Sequence, residues 1–199
     1  MEILKQIESL KQSDVRATID QKMQEFKQVA DVFSELCFCL MTANFNAVGG
    51  IRIQKEIGDG FSTLSEPELA AELKRLGHRF PNARASYICN ARGVGLEDAL
   101  MKLTGEELRQ WLVKNVKGLG MKEASHFLRN IGYEDFAIID FHIVDLLVRE
   151  SLIERPKTLT PKKYIEIETI LVSIAKKANL NLGALDMYLW YLETGKILK

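Results

Sequence analysis

Apolar residues recur at spacings of three and four along most of the chain, as in FHIVDLLVRE from Phe141 and LDMYLWYL from Leu185. This is the period of helices that bury one face. Four prolines and few Gly-Asn turn pairs leave little room for hairpin strands. The pattern therefore predicts an all-α fold of roughly ten helices. Several starts are marked. Ser65-Glu66-Pro67-Glu68 and Thr104-Gly105-Glu106-Glu107 read as capping boxes, and Asn82 after Pro81 reads as a further cap. Thr160-Pro161 opens a helix expected to run to about Ala178, while Gly77, Gly132 and Gly195 stand where helices end in a left-handed residue. Connectors are short and no Ser/Gly-rich linker occurs, so two lobes, if present, pack tightly.

Composition narrows the functional classes. A chain of 199 residues with 47% apolar and 27% charged side chains can bury a substantial core, which excludes a disordered tail, a collagen or a mucin-like stalk. Basic and acidic residues number 27 each, so any affinity for nucleic acid must come from local clustering. Such clusters exist. Lys74 to Arg92 carries Lys74, Arg75, Arg79, Arg84 and Arg92 with no acid, and Lys114 to Arg129 carries Lys114, Lys117, Lys122 and Arg129 against Glu123 alone. Each run read singly is a solvated helix face. Cys37, Cys39 and Cys89 are an odd set that fits reduced core thiols, and neither zinc nor iron-sulfur spacing occurs, so no metal is expected. No apolar stretch of about 20 residues would span a bilayer, and the N-terminus lacks a leader pattern, which predicts a soluble cytoplasmic protein.

Chemistry concentrates between Leu108 and Ile143. Two amphipathic segments flank Val116-Lys117-Gly118-Leu119-Gly120. Glycines two apart can turn the chain sharply and leave backbone N–H groups uncovered at a helix start, where the dipole favours an anion such as a phosphate. Any tight helix connection could use the same glycines. The flanking residues add more. Lys122 stands two residues after Gly120, and Asp140 follows 18 residues later in Ile138-Ile139-Asp140-Phe141-His142-Ile143.

This constellation resembles the helix-hairpin-helix DNA glycosylase superfamily. The string from Lys117 to Gly132, the small size and the chain ending in Lys199 are similar to its archaeal-type 8-oxoguanine DNA glycosylase/AP lyases. The resemblance implies two helical lobes with a lesion-accepting cleft between them. Residues 36–134 would form a central lobe containing the hairpin, and residues 1–35 plus 135–199 the other. It implies Lys122 and Asp140 as catalytic residues, facing each other across that cleft, and Lys117, Gly118, Leu119 and Gly120 on the DNA backbone. Trp190 and Lys199 would recognise the base. The partner would be damaged double-stranded DNA, bound by a monomer in a prokaryotic cytoplasm, with no cofactor. Two positions depart from the common pattern: Lys117 replaces a proline before the first hairpin glycine, and Phe141 replaces a threonine between the aspartate and histidine.

Those residue types suit the reaction. Base removal followed by cleavage at the abasic sugar needs a nucleophile that attacks C1′ and stays attached as an imine, which a lysine amine does. A free lysine is mostly protonated at neutral pH, with a pKa of about 10.4, so the site must favour the neutral amine. A carboxylate near C1′ can orient that amine and stabilise positive charge on the sugar. Asp140 is also expected to cap the helix that follows it. His126 and His142, on helices with apolar neighbours, are read as structural or phosphate-facing. Trp190 offers a face for an everted purine, although core packing is the plainer reading of an aromatic at helical spacing. Phe80, within the first basic run, is a candidate wedge or a buried ring. Three other functions stay open: the same chemistry on oxidised pyrimidines, a non-catalytic hairpin module that grips duplex DNA, and a helical protein scaffold.

Overall fold

A computed structural model describes residues 1–199 as thirteen α-helices with no strand. The count exceeds ten because short pieces such as Gly60–Thr63 form separate helices between longer ones. The chain divides into two compact units, Ala30–Phe127 and Met1–Val29 with Leu128–Lys199. These bounds differ from the expected 36–134 at both ends. Asp31 caps the first long helix of the central unit by accepting the Ser34 N–H at 2.8 Å, so that unit starts before Leu36. At the other end the division falls inside a helix. Arg129 is buried with the terminal unit, 3.5 Å from Asp186 and 4.6 Å from the centre of the Phe26 ring.

The terminal unit contains α1 (Glu2–Lys11), α2 (Asp14–Lys27), α11 (Phe141–Arg149), α12 (Pro161–Ala178) and α13 (Leu182–Thr194). Its core is drawn from their apolar stripes, including Ile3, Ile19, Tyr164, Ile167 and Tyr188. Local caps set the breaks. Ser13 accepts the Val15 N–H at the start of α2, and Thr160 accepts the Lys163 N–H at the start of α12. Before α11, Phe136 to Ile139 is buried without being helical. Polar groups of α12 satisfy its backbone: the Ala137 N–H donates to Glu168 at 2.9 Å, and the Ile139 N–H donates to the Tyr164 hydroxyl at 3.1 Å. That hydroxyl donates in turn to the Ala137 carbonyl at 2.7 Å. A buried non-helical stretch needs such partners, and here they fix the strap that delivers Asp140.

The central unit is built around α3 (Val32–Thr42), in which every residue from Leu36 to Met41 is fully buried. Burial pushes the Cys37 thiol well above its ordinary pKa, which keeps it protonated and inert. The remaining helices are α4 (Ala47–Ile57), α5 (Gly60–Thr63), α6 (Glu66–Arg75), α7 (Pro81–Ala91), α8 (Leu96–Lys102), α9 (Gly105–Asn115) and most of α10 (Met121–Asn130). At Ser65 the expected box partner is in place, with Glu68 accepting the Ser65 N–H at 2.9 Å. Two expected caps are corrected. Thr104 makes no side-chain cap bond, and the nearby Glu106 pairs with Arg109 and Gln110 instead. Asn82 does not cap α7, because Pro81 occupies its first turn and Phe80 takes the cap position.

Candidate active site

The hairpin turn and the start of α10 lie within the central unit. Helix α9 closes at Val116, whose N–H reaches the Leu112 carbonyl at 2.9 Å, and the Leu119 N–H turns back to the Val116 carbonyl at 3.1 Å. Val116 and Leu119 are buried and anchor the turn, while Lys117, Gly118 and Gly120 are exposed. Arg109 ties its two helices together from beneath. Fully buried on α9, it donates to Glu106 at 3.0 Å and to the Ser125 hydroxyl of α10 at 3.2 Å. The two basic stretches of the sequence meet here. Tyr87 of α7 lies against Gly118, with the Lys117 ammonium 5.8 Å and the Arg84 guanidinium 5.5 Å from its ring centre. Burial lowers the Arg84 pKa, and the negative charge of Glu123 is among the effects that oppose the shift.

Gly118 is required twice over. Its φ is +92°, and a Cβ there would lie 2.4 Å from the Tyr87 ring. Gly118→Ala should therefore cost about 2–5 kcal/mol, summing left-handed strain and overpacking, and should weaken duplex binding. Urea unfolding and anisotropy titration of the variant check this. A loss below about 1 kcal/mol would mean that the ring yields freely.

Lys122 sits on the first turn of α10 with its side chain 24% exposed. Its ammonium lies 3.9 Å from the Glu123 carboxylate, whose other oxygen accepts the Gly120 N–H at 3.3 Å. The acid beside Lys122 is thus the same carboxylate that closes on the Gly120 N–H.

Asp140, Trp190 and Lys199 belong to the terminal unit. Asp140 caps α11, its Oδ1 accepting the Ile143 N–H at 3.0 Å, so cap and candidate catalyst are one side chain. Phe141 follows it 67% exposed, with its ring centre 4.0 Å from that of His142. The His142 ring meets Trp190 of α13 edge-on at 5.1 Å. The structure thus brings Trp190 beside the residues that follow Asp140, and it leaves Trp190 partly exposed rather than in the core. Lys199 ends the tail beyond the Gly195 cap of α13 and is half-buried. No group of three or more His, Cys, Asp or Glu side chains is placed to hold a metal ion, and no helix is long and apolar enough to cross a membrane.

The family model described as 8-oxoguanine DNA glycosylase matches residues 19–180, which include the hairpin, Lys122 and Asp140. The chain belongs to this family. Relatives extend the match over the tail that carries Trp190 and Lys199. The chain is 53% identical to an 8-oxoguanine DNA glycosylase/AP lyase of Methanocaldococcus jannaschii, covering 100% of both chains. It is 51% identical to one of Korarchaeum cryptofilum, covering 100% of this chain and 98% of that one. Among solved structures, the M. jannaschii 8-oxoguanine glycosylase/lyase in complex with a 15mer DNA containing 8-oxoguanine superposes with a TM-score of 0.96, at 53% identity and 100% coverage of both chains. The 8-oxoguanine DNA glycosylase of Thermotoga maritima does so with a TM-score of 0.94 at 44% identity, covering 100% of this chain and 99% of that one. Within the glycosylase family's frame, three contacts escaped sequence reasoning: Tyr87 under Gly118, Glu123 between Gly120 and Lys122, and His142 against Trp190. Only Glu123 had a local signal, since a carboxylate at the third helical position commonly reaches back to the residue before the helix.

Proposed function

We infer that this chain is a DNA repair enzyme that removes 8-oxoguanine from duplex DNA and then cleaves the abasic strand. The observation that carries this reading is full-length similarity, in sequence and fold, to a glycosylase/lyase solved with 8-oxoguanine DNA. The hairpin backbone from Lys117 to Gly120 holds DNA phosphate, and the exposure of Lys117, Gly118 and Gly120 at a helix start suits that task. A base cannot be excised from inside the stack, so the damaged nucleotide must be everted. Trp190 and Lys199 then recognise the base, Trp190 by stacking on it. Lys122, as the neutral amine, attacks C1′. The C1′–N9 bond breaks and its electron pair leaves with the base, which takes up a proton. The nitrogen loses a proton, the sugar ring opens, and the resulting imine is the Schiff base. Removal of a C2′ proton then expels the 3′ phosphate by β-elimination. Asp140 stabilises the positive charge that grows on the sugar and holds the proton that Lys122 gives up. The protein works as a monomer alongside the chromosome in the cytoplasm.

Borohydride reduction on three duplexes tests this. Those carrying 8-oxoguanine or a bare abasic site should yield a covalent protein–DNA adduct, and one carrying an oxidised pyrimidine should yield little. Binding without any adduct would leave only a DNA-gripping module. An adduct on the pyrimidine alone would reassign the lesion.

A further inference from the structure

Glu123 is the lone acid in the basic stretch from Lys114 to Arg129, and solvation does not explain its position. Its side chain is only 17% exposed. One carboxylate oxygen accepts the Gly120 N–H at 3.3 Å and the other lies 3.9 Å from the Lys122 ammonium. The charge of Glu123 also acts on Arg84, a residue only 7% exposed whose Nε has no hydrogen-bond partner. A carboxylate thus occupies the amide that a DNA phosphate would use and neutralises the cations that would meet it. It carries the same sign and offers the same kind of acceptor oxygen as a phosphate.

We propose that Glu123 is a positioning residue that stands in for the DNA phosphate in the free enzyme, holding the Gly120 N–H and the Lys122 ammonium until DNA displaces it. The proposal rests on the phosphate role given above to the hairpin. Displacement couples two events. The phosphate takes the Gly120 N–H, and Lys122 loses the counter-ion that keeps its amine occupied. In the absence of DNA the same contacts close the end of α10, because the amide would otherwise lack a side-chain acceptor. Duplex DNA must therefore compete with an internal anion, and removing that anion's charge should strengthen binding.

Glu123→Gln isolates the charge, since its amide carbonyl still accepts the Gly120 N–H. Anisotropy titration with undamaged duplex should show affinity rising about three- to ten-fold, the range for removing one like charge facing a phosphate. On a duplex with a preformed abasic site, kcat/KM should rise with it, the gain lying in KM. Glu123→Ala should show the same tightening with a lower melting temperature, because the cap is lost as well. Unchanged or weaker duplex affinity in both variants would reduce Glu123 to an ordinary helix cap and overturn the proposal. A fall in kcat with KM unchanged would overturn it too, by placing the carboxylate in the reaction itself. The wild-type protein run in parallel separates the two layers: if it cleaves no abasic duplex, the catalytic reading fails, while the affinity comparison still decides the role of Glu123.

Discussion

Lys122→Gln should abolish the borohydride-trapped adduct and lower single-turnover strand cleavage by a factor on the order of 10⁴. An amide nitrogen cannot form the imine on which β-elimination depends. Duplex binding should survive within about five-fold, because a single cation is lost from a stretch that also exposes Lys114 and Lys117. Stability should stay close to wild type as well, since Lys122 is partly exposed and its one ion pair is with its own neighbour. Trapping, anisotropy and thermal melting on the same preparation test all three statements. An adduct that persists in the variant would move the nucleophile elsewhere, while joint loss of binding and melting temperature would show only a damaged fold.

Asp140→Asn separates cap from catalyst. Asparagine caps helices about as well as aspartate, so it should keep accepting the Ile143 N–H, and stability should change by less than about 0.5 kcal/mol. The negative charge disappears, and with it the electrostatic stabilisation of the positively charged sugar. Base excision should fall by about 10²–10³-fold. Asp140→Ala should show a similar catalytic loss plus about 1 kcal/mol of destabilisation from the missing cap. If Asn retained full excision, Asp140 would be a structural cap alone, and if Asn and Ala were equally destabilised, Asn would not be replacing the cap.

Local chemistry was enough for much of this molecule. The helix period requires only neighbours along the chain, so the all-α class could be read directly, as could α12 with its Thr160 start and Ala178 end. Asp140 as a cap is local too, because donor and acceptor lie three residues apart. The same is true of the hairpin glycines, the lysine two residues beyond them and the basic runs, which are properties of spacing and sign.

The contacts that give those residues their settings are of another kind. Tyr87 makes Gly118 indispensable from 31 positions away, Tyr164 and Glu168 hold the strap that presents Asp140, and Trp190 meets His142 across 48 residues. No period or cap rule encodes such pairs. A side chain's partner across a core is chosen by how whole helices pack, so only folding revealed it. The boundaries at Ala30 and Phe127 follow the same logic, since Arg129 joins the terminal unit through Asp186 and Phe26 rather than through its own helix. Spacing along the chain places the candidate reactive groups, whereas packing between distant segments sets their exposure, partners and orientation.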